Sequence, residues 1–219
     1  FLDDVDVEAK RRGLQMYLGI LTQDFDSGQY RNSLIGLGPE RAEYHKRHLV
    51  PFGEFFPVPD FAREWMRSAG LPNQDTLPGA ADQPPLPVSD YAMAPSICYE
   101  DAFGDEQLDF LPEAQLLMNV SNDAWFGDSI APHQHLQIAQ MRSLESGRPM
   151  LRATNTGITA IIGADGRVMQ RSEQFETAVL RAEVRPRSGA TPYIRVGNWA
   201  VISICALLMG AVYLSRRRG

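Results

Sequence analysis

Cysteine is scarce: Cys98 and Cys205 are the only two in 219 residues, and no CxxC pair occurs. That excludes a zinc knuckle and a disulfide framework, so each thiol needs its own explanation. Positive charge is also in short supply. The net charge is -6 at pH 7, and the basic residues are scattered except for Arg216-Arg217-Arg218 at the end. This argues against a nucleic-acid surface, so nucleic acid is not an expected partner. Internal repeats and low-complexity tracts are lacking, and 44% hydrophobic with 22% charged residues is the composition of one globular core. His133 and His135 stand two apart, which does not place them on one helix face, so no metal site is expected. An initiator methionine is missing as well. The chain opens at Phe1-Leu2-Asp3-Asp4 with no signal peptide in view, and it reads as part of a longer protein.

The elements that are present alternate helix and strand. Phe1 to Arg12 has helical spacing, with Gly13 suited to end the helix. Leu14 to Leu21 reads as a buried strand, and Arg31 to Leu37 as its neighbour across a polar turn at Asp24 to Gln29. Val88 to Ile97 reads as a strand with one buried face, carrying Tyr91, Met93 and Ile97, and Asp101 is placed to cap a helix running to Leu111. Gln115 to Val120 is a further strand. Arg152 to Asn155 leads through Gly157 into Ile158 to Ile162, with Asp165-Gly166 turning the chain into Val168-Met169 as a hairpin. Ala178 to Val184 is expected to be the last strand. The prolines of Asn73 to Pro87 mark a surface loop, because each removes a donor and fixes φ.

Long apolar runs are absent until the C-terminus. Val196 to Leu214 then offers 19 residues with only Asn198 and Ser203 as polar side chains. As a helix they span roughly 28 Å, close to the hydrocarbon thickness, with Trp199 and Tyr213 at interfacial positions. Apolar residues go all the way round, which a helix in a soluble core would not show. Residues 215–219 then form a basic cytoplasmic tail by the positive-inside rule, and the large domain lies on the opposite face.

Three polar clusters carry candidate chemistry. Pro95-Ser96-Ile97-Cys98-Tyr99-Glu100-Asp101 sets a thiol where a strand turns into a helix, a placement that exposes a nucleophile and aims the following backbone N–H groups at what it attacks. The plain alternative is a small buried cysteine filling the core. Glu43 to Glu54 crowds Lys46, Arg47 and two histidines before an apolar turn. A Lys ammonium beside a thiol favours the thiolate and can neutralise an oxyanion, and Glu54 can hold that Lys; alone, the segment is a solvated loop. Asn119 to Gly127 ends a strand in turn-forming polar residues, as a loop stabiliser or a wall of a substrate site. A fourth stretch, Pro51 to Leu71, is dense in aromatics and broken by Pro57 and Pro59. It reads as a membrane-facing arm whose short helix starts at Asp60, with Phe61, Trp65 and Met66 on the apolar side and Arg63, Glu64 and Arg67 on the wetter one. The alternative is that these aromatics fill the core.

The segments KRHLVPFGE, ICYE, NVSNDAWFG and ATNTGITAIIG together resemble the nitrilase, or carbon–nitrogen hydrolase, superfamily, and within it the bacterial apolipoprotein N-acyltransferases. The likeness runs along essentially the whole chain. It implies an α/β fold: a nitrilase-like α-β-β-α sandwich over residues 1–190, lacking its N-terminal strands, followed by a transmembrane helix over 196–214. It implies Cys98 as nucleophile and Lys46 as catalytic lysine, with Glu54, Tyr99 and Glu100 supporting the site. The family's triad is completed by a glutamate that belongs before Phe1, a role to which neither Glu54 nor Glu100 is promoted. The implied reaction passes an acyl chain from a phospholipid donor, through a Cys98 thioester, to the amino group of a diacylglyceryl apolipoprotein, with no cofactor. The implied setting is the bacterial inner membrane with the catalytic domain on the periplasmic side, and the implied partner is the remaining N-terminal part of the same protein. Two other classes stay open: an amidase of nitrilase type hydrolysing a small amide, and a non-catalytic lipid-binding membrane protein on the same scaffold.

Overall fold

The computed structural model describes residues 1–25, 28–69 and 76–218. Helix α1 (Leu2–Arg12) ends as the sequence predicts. Gly13 takes φ 64°, and the N–H groups of Gly13 and Leu14 close back on the carbonyls of Lys10 and Ala9. Antiparallel strands β1 (Met16–Gln23), β2 (Tyr30–Leu37) and β3 (Ala42–His45) follow in that spatial order. The turn expected between β1 and β2 falls partly on residues 26 and 27, outside the described residues. β1 is not the buried strand its apolar run suggests. It is an edge strand paired with β2, and its residues are half-buried or exposed.

After helix α2 (Asp60–Ser68) the chain builds a six-stranded sheet in sequence order: β4 (Leu86–Val88), β5 (Tyr91–Ile97), β6 (Leu116–Asn122), β7 (Met150–Asn155), β8 (Ala160–Ile162) and β9 (Val168–Arg171). Its centre, β5-β6-β7, is parallel, while β4, β8 and β9 join antiparallel. Of the expected strand from Val88 to Ile97, Tyr91 to Ile97 forms β5, while Val88 ends β4, since Ser89 adopts φ 51° and turns the chain between the two. Pro87 lies in β4 at the sheet edge, where a missing donor costs least. The loop expected over 73–87 is therefore loop only up to β4, and its residues 73–75 lie outside the described residues.

The two sheets face each other, β2 against β5 and β3 against β4, with α1 on β2 and helix α3 (Ala131–Ser146) on β7 and β8. This is an α-β-β-α sandwich. One apolar cluster runs through it, from Leu34 and Tyr44 of the first sheet through Met93, Ala94, Leu117, Met150 and Ile162 of the second to Leu136 and Ala139 of α3.

Two further expectations fail. No α-helix runs from Asp101 to Leu111; two short 3-10 turns, Cys98–Ala102 and Glu106–Phe110, occupy that stretch. Asp101 caps nothing because its side chain is fully buried in ion pairs with His135 and Arg152. Ala178 to Val184 joins no sheet: β9 closes the sheet, Val179 is exposed, and the Gln170 amide donates to the Arg181 carbonyl without building a ladder. The sequence reading also missed α3, whose signals were Pro132 in its first turn and Gly147 at φ 63° past its end.

The C-terminus leaves the sandwich through a short helix, α4 (Pro192–Val196), capped by the Thr191 hydroxyl, which accepts the Ile194 N–H at 3.2 Å. Gly197 breaks the chain at φ 54°, and α5 (Trp199–Arg218) begins. The long helix therefore starts three residues later than the expected 196–214, with Val196 belonging to α4. Over Trp199–Arg217 it is long and apolar enough to cross a membrane, and none of that face is buried inside the protein.

Candidate active site

Parallel strands deliver the site. β5, β6 and β7 run side by side and end at Ile97, Asn122 and Asn155, so Cys98, Asp123 and Thr156 follow at one end of the sheet. The carboxyl ends of parallel strands are where α/β folds collect ligand and catalytic groups. Three motifs far apart in sequence thus meet at one place.

Cys98 opens the 3-10 turn at φ 53°, a left-handed conformation that costs a non-glycine residue energy and that the surrounding contacts must hold in place. The thiol residue is partly exposed. Its carbonyl is gripped from behind by the Asn119 amide, at 3.4 Å, and by the His135 Nε2, at 3.2 Å.

Glu100 does the corresponding work on the other side. Its buried carboxylate accepts the backbone N–H groups of Ile97 at 2.7 Å, Arg47 at 2.6 Å and His48 at 3.1 Å, together with the Tyr44 hydroxyl at 3.0 Å. Burial pushes its pKa up, against the pull of those donors. One carboxylate therefore ties the residue before Cys98 to the residues after Lys46.

Lys46 is one of only two lysines in the chain and is 1% exposed, a rare state for a group that normally keeps its charge in water. Its ammonium donates to Glu54 Oε2 at 2.6 Å. The same oxygen accepts the Val50 N–H at 2.8 Å, and the Asn32 amide donates to the other carboxylate oxygen. Glu54 thus holds Lys46 as the sequence reading expected. Tyr99 projects outward beside His48 and Phe103, with ring centroids at 5.7 and 5.0 Å.

Beneath Cys98 lies a charge cluster that sequence reasoning did not find. His135 Nδ1 meets Asp123 Oδ1 at 3.0 Å, and Nε2 meets Asp101 Oδ1 at 3.0 Å. Both ring nitrogens face acceptors, so both carry protons. Burial opposes that charge, but the two carboxylates raise the imidazole pKa to about 9. Arg152 closes the cluster with Nη1 on Asp101 and Asn119 and Nη2 on Asp123, at 3.2, 2.5 and 3.2 Å. Burial pushes Asp123 up, yet His135, Ser121 and Arg152 hold it below the ordinary range. Two cations and two anions cancel, which is how buried charge is tolerated. Gly157 is obligatory here: a Cβ would stand 2.2 Å from Asp123 Oδ2. The signal in the sequence was the polar run at each strand end, but nothing there paired Asp123 with a histidine on an unrecognised helix.

The aromatic arm is on the surface. Phe61 and Trp65 of α2 are 76% and 64% exposed, and Phe52 sits at φ 61° with its ring 6.4 Å from that of Phe56. The alternative that Phe61 and Trp65 fill the core is excluded. The side chains of Asp60 and Arg67, expected as cap and wet-side residue, and the end of the arm at residues 70 and 71, lie outside the described residues.

The carbon-nitrogen hydrolase family matches residues 3–193. The chain belongs to that family. Among solved structures, this carbon–nitrogen hydrolase sandwich is similar to the NitFhit protein of C. elegans, with TM-score 0.61, 16% identity, and 80% of this chain and 43% of that one covered. It is similar also to a carbon-nitrogen hydrolase from Helicobacter pylori, with TM-score 0.58, 14% identity, and coverage of 78% and 62%. In sequence it is 45% identical over 218 residues to the apolipoprotein N-acyltransferase of Methylococcus capsulatus, covering 100% of this chain and 43% of that protein. It is 41% identical over 231 residues to the protein of that name from Photobacterium profundum, covering 100% and 44%. The chain therefore spans less than half the length of these relatives.

Proposed function

We propose that this chain is the catalytic part of an enzyme that moves an acyl chain from a phospholipid to the N-terminal amine of a diacylglyceryl-cysteine on bacterial apolipoproteins. What carries this reading is the alignment of relatives bearing that name along the entire chain, Cys98 turn and C-terminal helix included. Residues 1–190 form the catalytic domain, on the periplasmic side of the inner membrane. α5 is the anchor that crosses it, and residues 215–219 are the cytoplasmic tail. The elbow geometry of Cys98 and the buried Lys46–Glu54 pair support the roles.

In the first half-reaction a general base, the glutamate that the family resemblance sets before Phe1, takes the Cys98 proton. The thiolate attacks the ester carbonyl, the C–S bond forms as the C–O bond breaks, and the lysophospholipid leaves with the proton. Lys46, steadied by Glu54, and the Tyr99 backbone N–H stabilise the tetrahedral oxyanion, while Glu100 holds the two segments that bear them. In the second half the lipoprotein amine attacks the thioester, the C–N bond forms, and the C–S bond breaks to return the thiol.

The test is to incubate the intact protein with phospholipid and weigh the Cys98 peptide. One acyl mass, removable by hydroxylamine, is expected on Cys98, and none on the Cys98→Ser variant, whose hydroxyl is far harder to ionise than a thiol. Acylation of lipoprotein without that adduct would overturn the reading.

A further inference from the structure

We propose that His135 is a positioning residue that aims and polarises the peptide between Cys98 and Tyr99, making the Tyr99 N–H a stronger donor to the oxyanion. This rests on the acyl-enzyme reading above and adds to it a group remote from the reacting atoms.

The geometry is specific. Tyr99 is the second residue of its 3-10 turn, so its N–H precedes the first i→i+3 bond and is not consumed within the turn. The carbonyl at the other end of that same peptide accepts from His135 Nε2 at 3.2 Å and from the Asn119 amide at 3.4 Å. A peptide whose carbonyl accepts a hydrogen bond donates more strongly through its N–H, and a cationic donor strengthens the effect at low dielectric. His135 is itself buried and fixed on every side, by Asp101 of the 3-10 turn, Asp123 after β6 and, through them, Arg152 of β7. A charge held this rigidly cannot turn toward solvent, so its field acts along one direction. The left-handed φ of Cys98 then follows as the conformation that this grip on the carbonyl sustains.

Two reactions of one thiol separate this role from a structural one. Alkylation by iodoacetamide forms a C–S bond as iodide leaves and builds no oxyanion. Acylation by a p-nitrophenyl acyl ester passes through one before nitrophenolate leaves. Both need the thiolate, so their rate ratio at Cys98, read by peptide mass to set Cys205 aside, isolates the oxyanion contribution. The variants carry Asp123→Asn with His135→Gln or with His135→Leu, which keeps the cluster neutral. In the intact protein the glutamine pair, which retains an uncharged donor, should lower the acylation-to-alkylation ratio about tenfold, and the leucine pair about a hundredfold. A ratio within about twofold of wild type in the glutamine pair overturns the proposal, whether or not the leucine pair folds. Equal losses in both reactions overturn it too, because they mark a general loosening. A wild-type Cys98 that alkylates but never acylates would instead sink the acyl-transfer reading, and this inference with it.

Discussion

The Glu100 carboxylate accepts the backbone N–H of Arg47 at 2.6 Å. That bond joins two segments more than fifty residues apart, one carrying Lys46 and the other Cys98. Both proposed catalytic groups sit next to backbone that this one side chain fixes, and neither is fixed by sequence proximity. Cys98 is thus clamped from two sides, by Glu100 on the Lys46 side and by the His135 cluster beneath.

Glu100→Gln tests the first clamp. An amide can replace only one of the two acceptor oxygens, so its NH2 meets either the Ile97 N–H or the N–H groups of Arg47 and His48, donor against donor. The expected loss is about 1–3 kcal/mol of stability in urea denaturation, with slower acylation of Cys98. Unchanged stability and rate would show that the backbone holds these segments unaided.

Lys46→Met keeps the volume of the stem and removes the ammonium. Glu54 retains the Val50 N–H, the Asn32 amide and some solvent, so the domain should stay folded. Loss of an oxyanion contact should slow acyl-enzyme formation by about 10²–10³. Near-normal acylation in a stopped-flow experiment would leave Lys46 a packing role only.

Much of this site was legible before the structure because its residues are local motifs. Cys98 and Glu100 stand two apart and Lys46 and Glu54 eight apart, so spacing sets each pair close, while the joining of the two pairs in one site was what the family resemblance implied. Periodicity placed α1, β1, β2 and β6 to β9 as helix and strands, while the sandwich itself was what the family resemblance implied, and β3 lay in a segment that read as a loop. What was hidden depends on long-range pairing. His135 looked like half of a poor metal pair because α3 was not recognised, and Asp101 looked like a cap because its buried partners, His135 and Arg152, come 34 and 51 residues later. Val179 and Leu180 read as a strand, but context overrides propensity, and the segment meets the edge strand β9 through the Gln170 side chain rather than a backbone ladder.

Stability should carry the signature of His135. Its folded pKa of about 9 lies above the 6.5 of an unhindered imidazole. The charged cluster therefore contributes fully below pH 6.5, and the contribution is lost as pH rises through about 9. The difference amounts to about 3 kcal/mol. Urea midpoints should fall between pH 6 and pH 9.5, and the fall should shrink in the His135→Gln, Asp123→Asn pair. A wild-type midpoint independent of pH across that window would mean that the fold does not raise the imidazole pKa.

The aromatic arm yields a prediction about substrate rather than chemistry. Phe61 and Trp65 lie one helical turn apart on α2 and both face outward, where large apolar side chains in a soluble domain are a liability unless something apolar meets them. The arm begins at Pro51, directly after the Val50 whose N–H shares Glu54 with Lys46, so its base is part of the proposed site. A helix of this kind rests its apolar side among acyl chains at a bilayer surface. There it would admit a lipid tail and keep water from the thioester. Trp65→Asp should leave the melting transition within about 0.5 kcal/mol of wild type, since an exposed residue loses little by becoming polar. The protein should stay membrane-bound through α5. Acylation by long-chain phospholipid in vesicles should fall, while acylation by a short, water-soluble ester is unaffected. Equal rates with both donors would show that lipid reaches Cys98 by a route that does not touch the arm.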